Sequence, residues 1–494
     1  MHPIRSRMAT PCVSPAPRRR SVRMADRLLA VWLGSIALLA GCSLAPSYRA
    51  PAVPVPAAFR ETGAWVDAVP ADRLPRDGWW RVYGDATLDR LEPLVVRANP
   101  DLAAAVARHD EAAALFDDAH AALLPTVGID AETDRDRQSA RRPLRGSGQP
   151  DTYESNTLEA GFGYDVDLWG KVRNAVAAGR DDAQAADDDL ASVRLSLQAG
   201  VASTYFDLAG LDREADTLAR TIDTYRRAWQ LTVSRHHGGL ASGLDVSRAQ
   251  TQLALAQARA SDIAARRALD EHAIAALVGE SASTFSLPPV AALPGVPSIP
   301  TGLASTLLER RPDVAAAERR VAAANARIGV ARAAYFPDLS LGLDAGFQSD
   351  TFSPWLAAPN EIWSIGPRLA MTLFDGGRRA AGVRHARAQF DEQGARYRAV
   401  VLQAFREVED DLAQLHRLGD ESDQADAALV AARHSLALAM SRYRDGAVSY
   451  LDVVTAQTTE LDTQIAALDV DARRLQASVG LVRALGGGWH DARS

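Results

Sequence analysis

The chain has 494 residues, 47 % of them apolar, which is enough for a large buried core and too long for one ordinary domain. Residues 1–41 hold seven Arg and one Asp, so removing them moves the formal charge from −7 to −13. That acidic balance, without a basic stripe interleaved with aromatics, argues against nucleic acid as partner. The two cysteines, Cys12 and Cys42, allow no disulfide framework and no zinc spacing.

The chain opens on a leader. Arg27 precedes the apolar run Leu28 to Leu39, and Ala40-Gly41-Cys42 ends it. A cationic flank, a short apolar stretch and small residues at the exit make a secretory signal. The run is shorter than the roughly 20 residues a membrane span needs. Met24 would start a tighter signal than Met1 or Met8. Residues 42–78 are rich in Pro and Ala and read as an extended tether.

From residue 79 the sequence repeats. Pro100-Asp101-Leu102 through Leu124-Pro125 aligns without gaps on Pro312-Asp313-Val314 through Phe336-Pro337. The segment Leu168 to Arg173 aligns on Leu373 to Arg378. Ser242 to Thr251 aligns on Ser449 to Thr458, with seven of ten positions identical. Small changes of offset over a repeat this long mark a duplication with loop insertions. The reading is a first repeat over 79–287, a Pro-rich linker over 288–303, a second repeat over 304–489 and a tail over 490–494.

Each half switches period. Val127, Ile129 and Ala131 alternate with Gly128, Asp130 and Glu132, and Leu158 to Leu168 alternates likewise. In the second half Leu339 to Phe347 and Trp363 to Leu373 do the same. Period-two alternation predicts strands with one apolar and one wet face. Tilted strands of about 10 residues cross a bilayer. Polar loops are expected between them, over Asp134 to Asn156 and Ser349 to Glu361.

The remainder reads as helix. No Pro falls between Asp151 and Leu287, or after Pro367. Lys171 to Arg235 would form a helix of about 95 Å, too long for a globular domain and suited to a coiled-coil-like assembly. Val246, Ala249, Leu253, Ala256, Ala260 and Ile263 keep a three–four spacing. Gly170, Gly376 and Gly377 supply the freedom to bend each strand into its helix.

Four strands cannot close a membrane barrel, and an open edge in lipid leaves backbone groups unpaired at several kcal/mol each. The chain must therefore oligomerise: a dimer gives eight strands and a trimer twelve. His236-His237 is not a metal site on this reading, because adjacent helical side chains point about 100° apart and no acid accompanies them. No catalytic set and no P-loop occur, so energy must come from a partner.

Taken in order, several motifs carry a resemblance. They are Trp79-Trp80 with Tyr83-Gly84-Asp85, Asn99-Pro100-Asp101, Arg311-Pro312-Asp313, Leu373-Phe374-Asp375-Gly376-Gly377, and the ending Ala484-Leu485-Gly486-Gly487-Gly488-Trp489. With them the chain resembles the outer membrane factors, TolC-like channels, in their NodT-type lipoprotein branch, over about residues 38–489. The resemblance implies an α+β membrane protein: a trimeric 12-stranded β-barrel, four strands per chain, continued by a long periplasmic α-helical barrel. It implies a homotrimer in outer-membrane lipid. Its partners would be a periplasmic adaptor (a membrane fusion protein) and an inner-membrane transporter of the RND type. The function implied is the passive exit duct of a tripartite efflux system for drugs or other small molecules. The exit duct of a type I protein secretion system is the alternative.

Leu39-Ala40-Gly41-Cys42 resembles the bacterial lipobox, implying no cofactor but a diacylglycerol and a fatty acyl chain on Cys42. Ser43 after it is compatible with outer-membrane sorting. The helical hairpin tips, near Gly239 to Gly243 and Asp445 to Tyr450, would close the duct and meet the adaptor. Tyr443, Leu451 and Asp452, with Asp245 as the first-half counterpart of Asp452, sit where relatives place gate residues. Val448 and Thr455 depart from the pattern, Thr455 standing where many relatives carry a second Asp. Position just past a turn favours helix capping for Asp245 and Asp452, with gate lining as the other reading.

Overall fold

In the computed structural model, residues 43–54, 59–61, 78–142, 146, 148–299 and 310–487 are described. Cys42, the leader and the Gly488-Trp489 ending lie outside them. The chain forms two compact units. Of the described residues, one takes those within 43–46, 120–176 and 326–385, and the other those within 47–119, 177–299, 310–325 and 386–487.

The first unit holds the strands β1 (Thr126–Arg137), β2 (Thr152–Val166), β3 (Asp338–Ser349) and β4 (Glu361–Ala370). They form one antiparallel sheet in the order β1-β2-β3-β4. Register puts Val127 beside Phe162, Phe162 beside Leu343 and Leu343 beside Ile365, so the apolar positions of all four strands share one face. A slip of one residue would send each of them to the other side.

Two expectations at strand ends are corrected. The polar segment after Asp134 is not all loop: β1 runs to Arg137 and β2 starts at Thr152, because the cross-strand ladder continues through Arg137 and Thr152. The fourth strand stops at Ala370 rather than Leu373, since its partner β3 begins at Asp338, opposite Ala370.

The helices, in chain order, are α1 (Ala86–Ala98), α2 (Pro100–Ala121), α3 (Lys171–His237), α4 (Gly243–Leu277), α5 (Pro312–Ala333), α6 (Arg378–Arg444) and α7 (Tyr450–Ala484). The duplication is visible in their lengths: α2 and α5 have 22 residues, α3 and α6 have 67, and α4 and α7 have 35. At 1.5 Å per residue α3 and α6 are each about 100 Å long. Register corrects one alignment. Thr126 opposite Gly163 recurs as Asp338 opposite Ala370, so Gly163 corresponds to Ala370 and Gly170 to Gly377. Leu168 therefore falls on Asp375, not on Leu373.

In the helical unit, Trp79, Leu88, Tyr205, Phe206, Leu412 and Leu481 are among the residues of the main core. A second cluster joins Leu211, Leu218, Leu253, Ile263, Leu461 and Ile465. Ala249, Leu253, Ala256 and Ile263 of the three–four stripe are buried, as the spacing requires. No described helix is long and apolar enough to cross a membrane; in the first unit, large apolar side chains are exposed on the sheet, as at Val127, Ile129, Trp363 and Ile365, and also beyond its strand ends, as at Leu373 and Phe374.

Candidate functional site

The two faces of the sheet differ in chemistry. On one, Val127 and Ile129 of β1 are 76 % and 80 % exposed, and Trp363, Ile365 and Leu369 of β4, at the opposite edge, are exposed on the same face. Aligned apolar side chains left exposed on β1, β3 and β4, with the larger ones of β2 half-buried between them, suit hydrocarbon rather than water. On the other face lie Asp130, Glu132, Glu159, Asp165, Asp344 and Arg368. They are interleaved with a glycine patch in which Gly163 pairs with Gly342 and Gly342 with Gly366. Side-chain bulk is missing at the patch, and a concavity of about 750 Å³ opens there, lined in part by Thr126, Asp344, Ser364 and Arg368. Apolar outside and polar inside is the alternation of a wet bore.

After β2 and after β4 the chain turns into a long helix through left-handed glycines. Gly170 has φ 74°, Gly376 63° and Gly377 94°, conformations that a Cβ would strain. An aspartate and an arginine lock each turn. The Asp167 carboxylate accepts from the backbone N–H and Nε of Arg173, whose Nη2 donates to the Asp167 carbonyl. Asp375 accepts from the N–H of Gly377 and from the N–H and Nε of Arg379, while Arg379 also donates to the Thr372 and Leu373 carbonyls. The backbone N–H of Arg379 leads in holding the Asp375 carboxyl below its usual range, aided by the guanidinium. At the first turn Trp169 also stacks on Phe336, centroids 4.7 Å apart, and its indole N–H donates to the Pro337 carbonyl.

In the helical unit, the turns α3–α4 and α6–α7 are built alike. Gly239 and Gly446 stand at φ 73° and 74°. Ser242 caps α4, with its N–H and hydroxyl donating to Asp245 and its oxygen accepting from the Asp245 N–H. Ser449 caps α7 and donates its N–H and hydroxyl to Asp452. Both candidate acids are thus engaged in capping, and Asp245 also lies 3.9 Å from Arg248. Tyr443 and Tyr450 meet with centroids 5.4 Å apart, and the Arg235 guanidinium lies 4.9 Å over the Tyr443 ring. Tyr450 is buried with Ala249 and Val453, and burial raises its phenol above the usual range. Leu451 is 45 % exposed, and Thr455 points its hydroxyl back at the Leu451 carbonyl, 2.9 Å away. The sequence reading named Tyr443 but missed its partners Arg235 and Tyr450; an aromatic seven residues before another, across a Gly turn, is the signal that was there. It also missed both Asp–Arg clamps. His236 Nδ1 lies 2.9 Å from the Ala241 carbonyl, within the turn. Among the described residues no cluster could hold a metal ion.

A sheet exposed and apolar on one face and polar on the other, two of whose strands lead in sequence into helices of about 100 Å, defines a subunit of a membrane conduit. The chain belongs to the family described as "Outer membrane efflux protein", whose model matches residues 94–280 and again 303–487. It is similar to the antibiotic efflux pump outer membrane protein ArpC of Pseudomonas putida, 31 % identical over 457 residues, 92 % of this chain and 94 % of ArpC. Among solved structures it is similar to the outer-membrane channel OprN, with TM-score 0.83, 29 % identity, and coverage of 91 % of this chain and 100 % of that one. It is also similar to the open state of the Neisseria gonorrhoeae MtrE channel, with TM-score 0.78, 26 % identity, and coverage of 90 % and 98 %. The chain is an outer-membrane channel protein of an efflux system.

Proposed function

We propose that three copies of this chain close head to tail into a 12-stranded barrel through which small molecules, antibiotics among them, leave the cell. The observation that carries this is the sheet: β1 and β4 are open edges, and its apolar face is uncovered. Open edges in hydrocarbon are too costly to persist, and four strands cannot close alone. The energy comes from an inner-membrane transporter joined through a periplasmic adaptor, because the chain itself has no nucleotide-binding loop.

A diacylglycerol and a fatty acyl chain on Cys42 tie the N-terminus to the membrane. The described residues that follow support that placement: in the strand-bearing unit Ser43 donates to Asn174 and Arg332 donates to the Leu44 carbonyl. The leader is residues 1–41 and the tether 42–78. Two repeats, 79–287 and 304–489, flank a linker over 288–303, with a tail over 490–494; the double match of the family model supports the division.

The hairpin turns form the closed constriction, with Tyr443, Leu451, Asp452, Asp245 and Thr455 contributed by each copy. MtrE has been solved in an open state, which supports a tip that opens. Efflux is preferred to type I secretion on the name of ArpC. The test is accumulation of a panel of antibiotics in cells lacking the gene. Accumulation should rise and fall back on complementation. Unchanged accumulation of every compound, with loss of a secreted protein, would select the secretion reading.

A further inference from the structure

The internal repeat allows the seam between copies to be read from the joint inside one chain. Within the chain, β2 ends the first repeat's strand pair and β3 begins the second's, and the two lie side by side. Their counterparts are β4 and β1, the two open edges. Matching registers fix the correspondence: Gly163 maps on Ala370 and Thr126 on Asp338. A head-to-tail ring in which every second joint repeats the first makes the β4–β1 joint quasi-equivalent to β2–β3. Val166 pairs with Leu339, Tyr164 with Leu341 and Gly161 with Asp344.

From this we infer the register in which β4 of one copy meets β1 of the next, and with it an ion pair between copies. Leu373 then meets Val127 of the partner subunit, Met371 meets Ile129 of the partner subunit, and Arg368 meets Glu132 of the partner subunit. The inference rests on the head-to-tail closure proposed above and adds its register.

Three independent features agree with it. First, faces match: the apolar residues of β4 fall opposite apolar residues of β1, although the mapping used only backbone register. A one-residue error would have set Leu373 against the wet face. Second, charges match. The wet face of edge strand β1 carries Asp130, Glu132, Asp134 and Asp136, and the arginine of β4 falls among them. Arg368 is exposed and has no ion-pair partner among the described residues of its own chain. Inside the chain the same position is Gly161 beneath Asp344, so the repeats have diverged where a cation is useful only between copies. Third, β2 runs to Val166, whose counterpart is Leu373, yet β4 stops at Ala370. Residues 371–373 have no β3 partner and gain one only from the neighbour; Leu373 and Phe374 are 85 % and 89 % exposed in the single chain.

The test is crosslinking in membranes of the full-length protein, with paired cysteines and a thiol crosslinker about 5 Å long, the spacing of directly opposed residues. Glu132→Cys with Arg368→Cys should give covalent dimers and trimers, several-fold more than Asp130→Cys or Asp134→Cys with Arg368→Cys. Each variant is also weighed by native mass spectrometry. Trimers that crosslink chiefly through 130 or 134, or through none, overturn the register and leave the closed ring standing. Monomers for the unmodified chain overturn both. Charge reversal gives a second reading free of cysteine: Arg368→Glu should deplete the trimer, and adding Glu132→Arg should restore it. Failure of the double variant to recover any trimer that the single variant lost would contradict the pairing.

Discussion

Asp452 holds Ser449 from two sides, accepting its backbone N–H at 3.0 Å and its hydroxyl at 2.7 Å, where the chain turns from α6 into α7. Asp245 holds Ser242 in the same way. Each acid is the N3 partner that completes the capping box of the N-cap serine, satisfying a backbone N–H that would otherwise be unpaired at the helix start. Asp452→Ala should therefore loosen the first turn of α7. Hydrogen exchange at residues 450–453 should accelerate, with the rest of α7 unchanged. Equal protection in the variant would show that the capping contacts contribute nothing.

The proposed gate role is separable from capping, because Leu451 caps nothing. Three copies of an apolar side chain would exclude water at a constriction, and a ring of carboxylates would favour cations. Leu451→Ser, which leaves the cap intact, should raise planar-bilayer conductance, and adding Asp452→Ser should also lower cation preference. Unchanged conductance in a variant that still assembles would place the constriction elsewhere.

Arg379 ties the end of β4 to the start of α6 through Asp375 and two backbone carbonyls. A lysine carries the charge but not the fork. Arg379→Lys should lower the melting temperature at neutral pH. Asp375 is held below its ordinary range, so its contribution is present above the unfolded value and is lost as pH falls through the folded one. The gap between wild type and variant should narrow in acid. A gap that widens below pH 4 would contradict the assignment.

Asp411, on α6, behaves oppositely. Burial pushes its carboxyl up to about 7. The folded chain keeps a proton that the unfolded chain releases near pH 4, so this residue costs stability progressively as pH rises from about 4 to about 7. Asp411→Asn should remove that slope. Melting temperatures at pH 5 and pH 8 should lie closer together in the variant, which should be the more stable at pH 8. An unchanged slope would mean that Asp411 ionises freely.

The lipid on Cys42 is tested by metabolic labelling with palmitate. Cys42→Ala should abolish incorporation. Equal labelling of the variant would remove the anchor from the account.

The strands were legible in the sequence because alternation along Val127 to Ala131 and Leu339 to Phe347 can only be satisfied by a sheet with two unlike faces. The long helices were legible from proline-free runs and the Ala249 to Ile263 stripe. Strand ends were not: they depend on which neighbour continues the ladder, and Arg137 finds Thr152 while Met371 finds nothing within the chain. The clamps were hidden for another reason. Asp167 and Arg173 are six residues apart and Asp375 and Arg379 four, so the duplicated function does not align. The Ser242 and Ser449 caps lay in plain view in the strongest repeat, and position favoured capping for their acids, yet a gate role stayed open because a carboxylate just past a turn suits both.

The central claim is that the open edges of β1 and β4 close on other copies of the same chain, and the mass of the assembly tests it most directly. Native mass spectrometry of the detergent-extracted, full-length product should give a single species at three times the mass of the mature chain. Dissociation of that species should return only this chain. A stable monomer, or a complex whose other members are different proteins, would contradict the account.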